Sequence, residues 1–178
     1  LPKEVTERFT APIFEPLQTE HDRSNFDCGV EPLNRYIKEL ASQDIRRKTA
    51  AVFVLRKEGS AKVLGYYTLS QCSIQLEHLP EALRKNLPRY PQIPTTLLGR
   101  MAVDQSCRGQ GSGRLLLMDA LRRASLASHS VASFAVVVDA MQVDPDPIEF
   151  YRSYDFEALP EQPRRLILPF HRYEKLFE

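Results

Sequence analysis

The sequence is short of net charge: 24 Lys and Arg stand against 23 Asp and Glu, which leaves +1. No basic field spread over the whole surface marks a nucleic-acid binder, so any such surface has to be a local patch. Cysteine is scarce too. Cys28, Cys72 and Cys107 are odd in number, far apart and without CxxC or Cys/His spacing, which argues against disulfides and zinc and for a reducing cytoplasm. The four histidines, His21, His78, His129 and His171, share no ligand spacing, and no GxSxG occurs. Metal catalysis and a hydrolase triad are therefore set aside. No run approaches the roughly 18 apolar residues of a membrane span, and the opening LPKEVTERFT has no apolar core of signal-peptide length. The chain starts on Leu1 rather than Met, so a few residues are expected ahead of it. Internal repeats and low-complexity tracts are absent.

What is present is a hydrophobic content of 43% over 178 residues, which suits one domain spanning 1–178. PIFEPLQ, residues 12–18, reads as a proline-interrupted edge strand followed by a polar loop. In FDCGVEPLNRYIKELASQDIRR, Leu33, Tyr36, Ile37, Leu40 and Ala41 recur at helical spacing and Pro32 suits a first turn. AAVFVLRK and KVLGYYTLSQ, separated by EGSA, predict an antiparallel hairpin. Residues 77–94 are polar and proline-rich, a helix-bearing loop of a length that is often functional. LLGRMAV predicts a strand over 97–103, GRLLLMDALRRASLAS a helix with Leu117, Leu121 and Ala124 on one face, and SFAVVVDA a strand buried on both sides. Residues 97–139 thus form a right-handed β-α-β unit. A short helix, IEFYRSY, and a last hairpin ending in LILPF complete an α/β (α+β) chain.

The most informative stretch is RGQGSGRLLLMDAL, from Arg108. Glycine is unfavourable except where the backbone turns sharply or approaches something closely. The first turn of a helix leaves N–H groups unpaired and carries the positive end of its dipole. Arg108-x-x-Gly111-x-Gly113 at a strand-to-helix junction therefore describes a cradle for phosphate or diphosphate, with Arg108 and Arg114 adding charge. A merely flexible turn is the competing reading. The P-loop lysine is missing, and the dinucleotide GxGxxG fails: counted from Gly111 it needs glycine at Leu116, and counted from Gly109 it meets Arg114.

The segment resembles the acyl-coenzyme A loop of the GNAT superfamily of N-acetyltransferases, whose signature is Arg/Gln-x-x-Gly-x-Gly/Ala between a strand and a helix. FDCGVEPLNRYIKELA, LGYYTLS, PRYPQIPTTLLGRMAVD and FYRSYDF extend the likeness over nearly the whole chain. Together they resemble the GNAT toxins of bacterial type II toxin–antitoxin modules. The resemblance implies a GNAT fold, a mixed central sheet with a splayed parallel strand pair and flanking helices. It also implies a homodimer in the bacterial cytoplasm, off the membrane, that acetylates the α-amine of aminoacyl-tRNA with acetyl-CoA, without a metal, and blocks translation. A ribbon-helix-helix antitoxin is the implied partner, with DNA bound only through that complex. Acetylation of small amines or protein N-termini, and a non-catalytic acyl-CoA-binding regulator, are the alternatives.

By that resemblance Tyr151 stands beside the coenzyme sulfur as general acid, a role a phenol can fill because its pKa of about 10 lies only modestly above a thiol's, about 8.5. Tyr154 is the second candidate, and Asp155 departs from the family's usual glycine. Met101, Ala102 and Val103 are expected along the pantetheine arm, with main-chain N–H groups for an oxyanion. Arg108, Gly109, Gln110, Gly111, Ser112, Gly113 and Arg114 are expected on the diphosphate. No strong base is found. Glu149 and Asp139 are nearest, but an α-amine of pKa about 7.7–8.0 is already roughly 10–20% neutral at pH 7. Arg100, a charge in an apolar strand, shares a face with Leu98 and Ala102 by alternation; an ion pair competes there with a substrate contact. Arg46-Arg47-Lys48 and Arg84-Lys85 with Arg89 are the preferred tRNA contacts, ahead of Arg122-Arg123 and Arg164-Arg165. Cys107 is read as a passive thiol, because direct transfer needs no acylated residue.

Overall fold

The structure, a computed structural model, describes residues 11–177; the reading of the opening ten residues lies outside them. Seven strands form one sheet in the order β1-β2-β3-β4-β5-β7-β6. These are β1 (Pro12–Pro16), β2 (Ala51–Lys57), β3 (Gly65–Gln75), β4 (Gln92–Val103), β5 (Ala135–Asp139), β6 (Glu157–Leu159) and β7 (Gln162–Pro169). All neighbours are antiparallel except β4 and β5, which run parallel. A proline has no N–H for a ladder, and β1, bounded by two of them, takes the outer edge.

Helix α4 (Ser112–Ser128) makes the parallel crossover between β4 and β5. Its fully buried face, with Leu116, Leu117, Leu121 and Ala124, packs on Leu55, Tyr67, Leu98, Val136 and Val138. Truncating one such leucine to alanine costs about 2–5 kcal/mol. The alternate residues Val52, Val54 and Tyr66 face the other way and pack against Tyr36, Ile37 and Ala41. Those three belong to one helical run in three parts: α1 (Glu31–Arg35), a π-helical turn (Tyr36–Leu40) and α2 (Ala41–Arg47). A third cluster joins Ile74, Ile93, Val137 and Ile167 to Leu79 and Leu83, around α3 (Glu81–Arg84).

Several expected boundaries move. β4 begins at Gln92 rather than at Leu97, because β3 runs on to Gln75 and carries its partner back with it, even placing Pro94 opposite Ser73. The proline-rich loop expected over 77–94 therefore ends at Pro91. Lys62, expected in the hairpin strand, instead makes an isolated bridge to Asp22, and β3 starts at Gly65.

Candidate active site

Two irregularities in β4 open the centre of the sheet. Between Tyr67↔Met101 and Leu69↔Leu98 the register shifts, so that Gly99 and Arg100 both stand opposite Thr68. This is a β-bulge, and the Arg100 N–H donates to Thr68 Oγ1 at 3.0 Å instead of continuing the ladder. A Cβ on Gly99 would lie 3.0 Å from that hydroxyl, so a side chain is poorly tolerated there. The bulge also overturns the expected alternation: Leu98 packs on the α4 side and Ala102 on the α1 side, with Arg100 following Ala102. An inserted residue reverses every face beyond it.

The second irregularity is a divergence. β4 and β5 pair at Thr96↔Val136, Leu97↔Val137 and Leu98↔Val138 only. Beyond Leu98, β4 continues to Val103 while β5 ends at Asp139, still paired with β7, so among the described residues no strand pairs with that edge of β4. A cleft of about 270 Å³ fills the gap, walled by Leu98–Val103, by Cys28, Val30 and Leu33 before and in α1, and by Asp139–Met141 and Tyr151. Its walls come from both clusters, so it reaches both faces of the sheet.

Below the cleft the glycine loop leads into α4. Gly109 and Gly111 have φ of 72° and 79°, the left-handed region that glycine enters without steric cost. Gly111 is the N-cap, no side chain caps the helix, and the first turn holds no acidic residue. The N–H groups of Ser112, Gly113 and Arg114 are thus offered outward with the positive end of a 17-residue helix behind them. A Cβ at Gly109 or Gly111 would meet nothing within 4 Å, whereas one at Gly113 would contact Phe150 at 3.7 Å. Gln110 bonds back to the Ser106 carbonyl at 3.2 Å, and Arg114 is exposed. Arg108 is differently employed: its guanidinium donates to the Cys28 carbonyl, tying the loop to the turn before α1.

That turn is a set of residues to which the sequence reading assigned no role. Asp27 Oδ1 accepts from the Gly29 N–H at 2.8 Å and from Asn34 Nδ2 at 2.9 Å, and these bonds hold its carboxyl below the usual carboxylate range. The Asp27 N–H donates to Asp104 Oδ2 at 3.0 Å, and its carbonyl accepts from the Gln105 N–H at 2.8 Å. Asp followed two residues later by Gly is an Asx-turn signal, and it was legible in FDCG.

Tyr151 lies in α5 (Ile148–Arg152), the short helix after a loop clamped by Arg164. Its ring is edge-on to Phe150 and Phe156, with centroids at 5.3 and 5.5 Å. It is only 8% exposed, lines the cleft, and no hydrogen bond engages its hydroxyl among the described residues. Burial pushes the phenol up to about 12, above the value near 10 assumed from sequence. Tyr154 instead packs outside on Phe150 at 5.2 Å. Asp155 has φ of 65°, so it adopts the conformation of the glycine it replaces.

The other candidates separate by partner. Asp139 takes two bonds from Arg165, at 2.7 and 2.9 Å, and Glu149 pairs with Arg152 at 2.9 Å; neither carboxylate is free. Arg122 and Arg123 both bind Asp119, and Arg164 binds Asp146, so two of the four basic clusters are internally compensated. Lys85 pairs with Glu81, and Arg84 reaches the Glu77 carbonyl. Arg46, Arg47, Lys48 and Arg89 are exposed and have no carboxylate partner among the described residues. Arg100 lies with its guanidinium 3.9 Å from the centre of the Tyr36 ring. The described residues hold no group of three or more His, Cys, Asp or Glu able to bind a metal, and no helix long and apolar enough to cross a membrane.

Residues 48–158 match the acetyltransferase (GNAT) domain. A tRNA-acetylating toxin of Mycobacterium tuberculosis is 32% identical over 147 residues, 83% of this chain and 85% of that protein. A probable toxin TacT of Sinorhizobium fredii is 29% identical over 163 residues, 88% and 90% of the two chains. Among solved structures, a tyrosine-to-phenylalanine mutant of KacT superposes with a TM-score of 0.86 at 30% identity, covering 93% of this chain and 99% of that one. AtaT complexed with acetyl-methionyl-tRNAfMet gives 0.85 at 31% identity, with coverage of 94% and 100%. Mutant AtaT bound to the C-terminus of the antitoxin AtaR and acetyl-CoA gives 0.77 at 29%, with coverage of 93% and 98%.

Proposed function

The chain belongs to the GNAT acetyltransferase family, and we propose that it is a toxin that acetylates the α-amine of aminoacyl-tRNA from acetyl-CoA and so blocks translation. One observation carries this: the unpaired edge of β4, Tyr151 and Arg108, which opens the glycine loop leading into the uncapped α4, all line one cleft whose walls come from both faces of the sheet. The relatives are toxins, one named for tRNA acetylation, and AtaT has been solved with acetylated methionyl-tRNA.

The cradle fits acetyl-CoA, since glycines with open space above them and unpaired N–H groups suit a diphosphate. When bound, acetyl-CoA supplies an activated acetyl group and a thiolate leaving group. Ser112, Gly113 and Arg114 hold its diphosphate, with Gly109, Gln110 and Gly111 shaping the loop and Arg108 anchoring it. Met101, Ala102 and Val103 lie along its arm, and the alternate main-chain N–H groups that this edge of β4 leaves unpaired serve developing negative charge. Tyr151 Oη keeps its proton throughout the neutral range and releases it to the departing sulfur. Asp139 and Glu149 are held in ion pairs, and the acceptor's own low pKa makes a base dispensable.

The activity is that of one domain over residues 1–178, working as a homodimer in the bacterial cytoplasm. Its partner is a ribbon-helix-helix antitoxin, through which alone it reaches DNA; the AtaT–AtaR complex supports the antitoxin. The test is labelled acetyl-CoA offered with total charged tRNA, deacylated tRNA and free amino acids. Label is expected on charged tRNA alone. Label on free amines would point to a small-amine enzyme, and none, with the coenzyme bound, to a non-catalytic regulator.

A further inference from the structure

We infer that the acceptor mouth of the cleft selects aminoacyl groups with apolar side chains, an inference that rests on the aminoacyl-tRNA reading above. The two faces of the sheet divide the cleft between its ligands. A donor whose diphosphate sits on α4 approaches from the α4 face, which leaves the opposite mouth to the acceptor. Val30 and Leu33, which pack on the α1-side cluster, line the cleft together with Met141 and Val143, and we assign these four aliphatic side chains to that mouth.

Both walls are fixed in place. The Val30 carbonyl accepts the N–H groups of Leu33 and Asn34 at 3.0 and 3.1 Å. Opposite, Arg164 donates to the carbonyls of Ala140 and Met141 at 2.9 and 2.7 Å while gripping Asp146 with two further bonds. An aliphatic surface held this way presents no hydrogen-bonding group to a side chain placed on it. The ionic groups that border the cleft are either spent or at its rim. Asp139 is held by Arg165, and Arg108 by the Cys28 carbonyl. Arg100 is stacked on the Tyr36 ring and Asp144 is solvent-exposed, so water screens any pair that a charged side chain makes with either of them. Burying an unpaired charge or hydroxyl there carries a desolvation penalty, while an aliphatic side chain gains the contact.

One tRNA transcript is to be loaded in turn with different amino acids, so that the RNA body stays constant while the side chain varies. kcat/KM is expected to be roughly tenfold or more higher for leucyl, isoleucyl, methionyl and valyl than for aspartyl, lysyl and seryl groups. Met141 is 38% exposed, so Met141→Glu can fold, and it should narrow or reverse the leucyl-to-lysyl ratio. Turnover of charged or small polar groups equal to that of the aliphatic ones overturns the inference, as does a preference for aspartyl through Arg100 or for lysyl through Asp144. Thermal shifts by the unreactive N-acetylaminoacyl amides give a second readout that needs no turnover. Larger shifts with aliphatic amides, but no acetylation of any charged tRNA, would sink the tRNA reading and leave the apolar mouth standing. Equal shifts across the series would overturn the mouth itself.

Discussion

Tyr151 shows how one side chain can be both packed and reactive. Its ring sits between Phe150 and Phe156, the residue lines the cleft, and its hydroxyl has no hydrogen-bond partner among the described residues. Tyr151→Phe keeps the ring contacts and removes the proton, so fold and coenzyme binding should be retained. Turnover should fall about 10²–10⁴-fold, the usual worth of a positioned acid, as single-turnover kinetics on charged tRNA would report. The pH dependence follows from the same residue. A phenol held at about 12 is protonated across the working range, so it adds no falling limb below about pH 10. The acceptor amine must lose a proton to react, so the rate should rise with pH through about 7.7–8.0 and then level off. A falling limb between pH 8 and 9 in initial-rate measurements would assign the acid elsewhere.

At the level of elements, α5 ends in a Schellman motif. The Phe156 N–H bonds the Tyr151 carbonyl at 3.3 Å, and the Asp155 N–H bonds the Arg152 carbonyl at 3.0 Å, with Asp155 left-handed. The motif thereby fixes the backbone of the proposed acid. Glycine enters this conformation freely where aspartate does not, so Asp155→Gly should stabilise the protein by about 1 kcal/mol. For a chain of this size that is a rise in Tm of about 2–4 °C, with activity unchanged; a fall in Tm by calorimetry would show that the aspartate makes a contact of its own. The π turn works in the same way on another side chain. It brings Tyr36 beneath Arg100; burial, helped by the bond its hydroxyl donates to Asp44 at 2.9 Å, pushes that phenol well above its ordinary range. Helical periodicity announced the helix. It could not announce the widened turn, from which the Tyr36 ring stacks on Tyr66 of the sheet.

Over the whole molecule, a charge of +1 conceals an uneven distribution. The basic pairs at 122–123 and 164–165 are neutralised by Asp119, Asp139 and Asp146, whereas Arg46 and Arg47 at the end of α2 face solvent without a carboxylate among the described residues. If those two reach phosphate, Arg46→Ala with Arg47→Ala should weaken binding of every charged tRNA alike. It should also flatten the slope of log K against log salt by roughly 0.7–0.9 for each phosphate left without its arginine; an unchanged slope in filter binding would move the RNA to Arg89 and its neighbours. The sequence by itself determined what is local or periodic: the β-α-β unit, the apolar face of α4, the glycine loop and the tyrosine of α5. Those features depend on residue spacing and on the backbone freedom of glycine, which a linear string carries. Only the tertiary structure decided where β4 parts from β5, which arginines are spent on carboxylates, and that a bulge at Gly99 and Arg100 sends Leu98 and Ala102 to opposite faces. Pairing register and charge compensation are properties of residues far apart in the chain, and they exist only after the sheet has closed around them.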